Sequence, residues 1–265
     1  MNPRTACALP LLLAGAAMGQ QVLFLRPQAP RLAAGAPILV RLESPDGPVP
    51  WNNDRVRLLL VLGQDTRENI DRAPEAPDAA GAVRLPAPPP GAGAVGLDLA
   101  PIIEIIDADK LRGFCVAKSD ARLPETVTGK VRVRRMQSCK TLLRVGDAPG
   151  HAMAALEETA QQAEIALRMD PTRATVGSDI AFGVSIAGED VEDARVLATP
   201  IATGKTQEVM SREEGAGSFR ITTAGPWRVE FHHLVRATAG SGADWILTSG
   251  TLTFDVPAPV PEPKR

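Results

Sequence analysis

GPWRVEFHHLVRATAGSGADWILTSGTLTFDV, Gly225 to Val256, decides the fold. Read with period two, Trp227, Val229, Phe231, His233 and Val235 share one face of an extended strand, and Arg228, Glu230, His232 and Arg236 share the other. The first set belongs in a core and the second on a solvated face, so the adjacent histidines look in opposite directions. A Gly- and Ser-bearing loop, Ala237 to Ala243, leads into a second apolar run, Trp245 to Val256, which reads as a hairpin partner or neighbouring strand.

Composition agrees with strands. The 265 residues are 44% hydrophobic, enough for a packed core, while aromatics are only 3%, tyrosine is absent, and 24 Pro and 23 Gly punctuate the chain. Many short strands joined by turns suit that mixture better than long packed helices. With a net charge of -2 and interspersed signs, nothing calls for nucleic acid or an anionic membrane surface.

Arg4, the apolar run Ala6 to Ala17, and the small residues Ala17 and Gly19 read as a secretory signal peptide over 1–19. The run is too short to span a bilayer, and no later run is long enough, so no membrane span is expected in the mature chain. Cys7 leaves with the signal. Cys115 and Cys139 remain, either as a disulfide, which export permits, or as two buried thiols; the loop they enclose would stabilise by about 3–4 kcal/mol if closed.

Strands are expected at Val22–Leu25, Pro37–Leu42, Val56–Leu62 and Val95–Leu99, and a short helix at Asp107–Cys115. Val131 to Val145 alternates apolar residues with Lys and Arg, as one strand or a pair. From Arg72 to Gly96 the Ala, Pro and Gly content reads as a loop or proline-rich crossing. The second half supplies Ala194–Ala198, Gln207–Met210, Phe219–Thr222, Trp227–Val235 and Trp245–Val256. Its opening, TRATVGSDIAFGV from Thr172, echoes PRLAAGAPILVRL from Pro30, with Ile180 on Ile38 and Gly177 on Gly35. The expected architecture is all-β, two immunoglobulin-like β-sandwich domains in tandem with short helical and proline-rich connections: residues 20–147, a linker over 148–163, residues 164–256, and a frayed tail over 257–265.

Motifs for chemistry are sparse. GAGAVG, Gly91 to Gly96, fits G-x-G-x-x-G but follows three prolines and precedes a strand, where a dinucleotide site needs a strand and then a helix. Gly204-Lys205-Thr206 lacks the earlier glycine of a phosphate loop and reads as a hairpin turn. No nucleophile elbow or zinc-protease helix occurs, and no spacing argues catalysis. The candidate ligand set is therefore Glu230 and His232, two apart on one strand face and able to share a metal ion, Asp244 approaching from the neighbouring loop, and His233.

HLVR at His233–Arg236, GADW at Gly242–Trp245 and TLTF at Thr251–Phe254 resemble the C-terminal signature of the bacterial exported family known as domain of unknown function 4198. KTLLRVGD at Lys140–Asp147, the opening Asp170–Ile180 and FLRP at Phe24–Pro27 are similar to its middle and mature start. The resemblance implies an exported, periplasmic or cell-envelope, non-enzymatic β-rich protein, since some members are described with cobalt or nickel uptake. A nickel or cobalt ion is the implied cofactor, with His233 and Asp244 matching the family pattern. One position departs: where the family shows a histidine after signal cleavage this chain has Gln21, a poor ligand for either metal. The functions expected are thus binding of a divalent metal or small solute, or a structural or interaction module touching another envelope component.

Overall fold

The computed structural model describes residues 22–63, 66–70, 77–78, 81–146 and 158–258. The expected signal peptide, Gln21, Asp147, the segment 148–157 of the expected linker and the tail from 259 lie outside these residues. The first half runs β1 (Phe24–Pro27), β2 (Arg31–Leu32), β3 (Ile38–Ser44), β4 (Gly47–Val49), β5 (Val56–Leu62), β6 (Arg67–Asn69), β7 (Val83–Leu85), β8 (Gly91–Asp107), helix α1 (Ala108–Lys118) and β9 (Lys130–Val145). The second runs β10 (Ala163–Leu167), β11 (Asp179–Ile186), β12 (Glu189–Asp190), β13 (Arg195–Pro200), β14 (Gln207–Met210), β15 (Ala216–Arg220), β16 (Gly225–Arg236) and β17 (Trp245–Val256). The fold is all-β, as expected, and the strand assignments at Val56–Leu62 and Trp245–Val256 hold to the residue.

The echo between the halves is an echo of topology. In one small sheet β3 pairs with β1, β4 and β7; in the other β11 pairs with β10, β12 and β15. The larger strands of both halves form one sheet, in the order β14-β13-β16-β17-β9-β8-β5-β6, with β2 beside the end of β9. Its centre is a parallel pairing of β9 with β17 that sets Cys139 beside Thr251 and Lys140 beside Leu252. Paired side chains share a face. Cys139 lies in the core that the first small sheet closes, and Leu252 in the core that the second closes, so the two small sheets cover opposite faces of one shared sheet.

Each core follows from strand alternation. Trp227, Val229 and Phe231 of β16 meet Ile180, Phe182 and Val184 of β11, and Trp227 stacks on Phe254 with ring centroids 6.5 Å apart. Phe231 faces Gly250 across the β16–β17 register, where an added Cβ would sit 2.4 Å from its ring. That contact explains a glycine in mid-strand. On the other face Leu25, Ile38 and Val40 pack on Leu59, Leu97 and Leu143.

One expectation needs correction. GAGAVG is no loop: β8 starts at Gly91 and pairs continuously with β9 to Leu99 before a bulge. Its glycines are packing requirements, because a Cβ on Gly93 would lie 3.0 Å from the Leu62 carbonyl and from Leu143, and one on Gly96 would lie 3.2 Å from Gln161. The end of the expected linker is hydrogen-bonded to the shared sheet. Gln161 donates to the carbonyls of Leu97 and Cys139, both at 3.1 Å, and buried Asp98 accepts from the Gln162 N–H at 3.0 Å.

Helix α1 begins where Asp107 accepts from the Asp109 N–H at 3.0 Å, an N-cap that satisfies one orphan donor. Ala108, Leu111 and Cys115 fall at helical spacing on one face, with Phe114 beside them, and all are buried. That face lies against β16, Val131, Val133 and Leu247.

Cys115 and Cys139 are free thiols in separate clusters, the first under α1 and the second in the first-half core, which replaces the disulfide reading. Helix packing holds one and a strand interior the other, so their side chains do not converge. Burial, helped by Asp120, pushes the Cys115 thiol up to about 11. Burial likewise takes Cys139 to about 12, and its Sγ donates to the Leu23 carbonyl at 3.3 Å. Iodoacetamide on the folded chain should therefore leave both unlabelled, and peptide mapping after denaturation without reductant should find both alkylated; a linked peptide pair would overturn this.

Candidate functional site

The alternation read along β16 is correct, but the side of it that meets water is not. Glu230 and His232 are fully buried. The reason lies elsewhere in the chain. Helix α1 covers the face they share, with Phe114 edge-on to His232 at 5.1 Å and the Ser119 hydroxyl donating to the His232 carbonyl at 2.7 Å. His233, expected in the core, lies past the end of the β13 pairing, and its side chain is 27% exposed.

The buried group is an ion cluster. Lys118 Nζ donates to Glu230 Oε1 at 2.5 Å, and Arg228 Nε lies 2.8 Å from Oε2. Burial raises the Glu230 carboxyl, yet the charges of protonated His232, Arg228 and Lys118 together outweigh it and leave the group below its ordinary value. His232 takes the opposite course. Its burial dominates, Glu230 opposes it, and Lys118, Arg135 and Arg228 reinforce it, so its pKa falls to about 4. At neutral pH the imidazole is neutral: Nδ1 shares a hydrogen bond with Ser249 Oγ at 2.8 Å, and Nε2 has no hydrogen-bond partner among the described residues. With His232 neutral, Lys118 and Arg228 are the charges that hold the carboxylate.

The expected ligand set does not assemble. His233 Nδ1 meets Asp120 at 3.3 Å. Asp244, at the far end of the hairpin, accepts from the Arg132 N–H at 2.8 Å and from its guanidinium at 3.0 Å. Among the described residues no three His, Cys, Asp or Glu side chains come together as a metal would need. His232 Nε2 lies 4.0 Å from Glu230 Oε1, so this pair offers two donors, but Lys118 and Arg228 already occupy the carboxylate, and their charges oppose a dication. The donors of Glu230, His232, His233 and Asp244 do not fit a nickel or cobalt ion.

A feature that strand parity did not isolate lies at the hairpin end. An open cleft of about 850 Å³ runs between Pro124, Thr126 and Val127 on one side and the Ala237–Ala243 loop on the other, floored by Val131 and Trp245. Loop residues Gly240 and Gly242 take φ of 82° and 78°, a region that favours glycine. Arg236 and Trp245 are direct cross-strand neighbours, and the exposed Arg236 side chain has no hydrogen-bond or ion-pair partner among the described residues. The signal available in sequence was an Arg closing one strand and a Trp opening the next across a Gly-rich loop.

Comparison with known proteins adds family but no activity. No curated protein matches. Among solved structures, fibronectin(III)-like modules of Clostridium thermocellum CbhA align at 9% identity over 88% of this chain and 95% of theirs, with a TM-score of 0.21. A two-domain fibronectin type-III segment of chicken tenascin aligns at 11% over 88% and 98%, with a TM-score of 0.22. Murine CEACAM1b aligns at 7% over 88% and 99%, also at 0.22. Scores this low carry no weight for function. The model of the domain of unknown function DUF4198 matches residues 28–235, most of the sequence, and the chain belongs to that family.

Proposed function

We propose that this chain is an exported, non-enzymatic protein that binds a small solute in the hairpin-end cleft. The observation that carries the reading is the contrast between two polar sites. The buried Glu230 carboxylate is already held by Lys118 and Arg228, whereas the cleft presents an aromatic floor beside an unpaired guanidinium. Concave sites with apolar walls and a few placed polar groups are where small ligands bind. Export rests on Arg4 and the apolar run that follows it. In the ¹⁵N-labelled chain, the indole N–H signal of Trp245 should move on titration with mixtures of small metabolites while that of fully buried Trp227 stays. If no mixture moves it, the reading fails.

A second reading, an interaction module of the cell envelope, has one observation behind it. Beyond Leu99, β8 pairs only with β9 among the described strands, and Ile103 and Ile105 there are 50% and 68% exposed. An unpaired edge with exposed apolar residues is a template for another strand. Recovery of a partner from envelope extract by the native chain but not by Ile105→Lys would favour this reading over the first.

A further inference from the structure

From the cleft's charges we infer its ligand class: a small anion carried on a flat apolar ring, the anionic head on Arg236 and the ring against Trp245. This deepens the small-solute reading and rests on it. The side chains of Arg236, Trp245 and Val131 lie on one face of the shared sheet: Arg236 pairs with Trp245, Trp245 pairs with Val133, and Val131 stands two residues further along β9. Opposite side chains on adjacent strands stand roughly 5 Å apart, so a ring over the indole brings a substituent within reach of the guanidinium. Pro124 and Val127 supply an apolar wall.

The charge inventory selects the sign. Among the described residues Asp244 is the one acid lining the cleft, and Arg132 holds it through both backbone and side chain. That pair is internally neutral. Arg236 remains as an unmatched positive charge, and its planar fork of donors suits a carboxylate or a phosphate. A cationic ligand would meet Arg236 with no free acid to receive it.

Four probes that share a phenyl ring and differ in head group test the inference: benzoate, phenyl phosphate, benzamide and benzylamine, each titrated into the folded chain and read from the Trp245 indole N–H. At least one anion should bind about tenfold or more tighter than benzamide, as expected for a hydrogen bond to a charged group, and benzylamine should not bind. The tighter anion identifies the head group. Arg236→Met should erase the preference, Arg236→Lys should keep part of it, and Lys205→Met on the distant β13–β14 turn should change nothing. Benzamide binding as well as both anions, or a preference that survives Arg236→Met, overturns the inference. If none of the four moves Trp245 although other metabolites do, the inference falls and the small-solute reading stands; if nothing moves it, both fall.

Discussion

Glu164→Ala is expected to cost about 3–5 kcal/mol of stability, the range for removing one partner of a buried ion pair. The Glu164 carboxylate accepts from Lys140 Nζ at 2.8 Å, and both side chains are almost fully buried, at 2% and 3% exposure. It also accepts from the Thr159 N–H at 2.6 Å and the Thr159 hydroxyl at 2.9 Å. Burial pulls the Lys140 ammonium below its ordinary value even with Glu164 beside it. Alanine would remove the neutralising charge and two further acceptor contacts together. The loss should appear in urea unfolding as a lower midpoint at unchanged slope. Lys140→Met combined with Glu164→Leu should recover part of it, because the pair replaced by apolar groups leaves no buried charge behind while the Thr159 donors stay unpaired. A single variant within about 1 kcal/mol of the parent would show that the pair carries no such weight.

The position of this pair bears on how the halves hold together. Lys140 belongs to β9, the last strand of the first half, and Glu164 to β10, the first of the second. Thr159 and Gln161, from the connection between them, are buried in the same network. The expected linker therefore ends as a polar seam against the shared sheet. The parallel β9–β17 pairing continues that seam: the Thr253 hydroxyl donates to the Leu25 carbonyl at 2.6 Å and lies 2.8 Å from the Thr141 hydroxyl.

Local pattern was a reliable guide wherever local pattern was the cause. The alternation of β16, the apolar run of β5 and the Asp107 start of α1 are each set by neighbours within a few residues, and each is where the sequence places it. The misreadings share a different cause. Gly93 and Gly96 resemble loop residues, yet they are small because Leu62 and Leu143 of other strands and Gln161 of the connection press on them. Glu230 and His232 resemble a solvated face, yet Lys118 and Phe114 cover them from more than a hundred positions away. No periodicity along β16 reports that cover. Lys118, which with Arg228 decides against a metal at Glu230, carried no signal in the sequence, where the expected helix stops at Cys115.

Acidification should weaken the fold before any exposed carboxylate is involved, and His232 is the reason. Its folded pKa is about 4, against 6.5 for a free imidazole. Between those values the unfolded chain takes up the proton and the folded chain does not, so stability falls as pH drops from about 6.5 toward 4. Above 6.5 the group contributes no pH dependence. Full loss across that window is about 3 kcal/mol. Glu230 and Asp120, both held below their ordinary values, add a further loss only where those carboxyls begin to protonate, at the acidic end. Urea unfolding at pH 7, 6 and 5 separates the two effects. The parent should lose stability at each step, and His232→Gln, which carries no titrating group there, should lose much less between pH 7 and 5 whatever its stability at pH 7. Equal slopes in the two would mean that the buried imidazole does not set the acid limit of this fold.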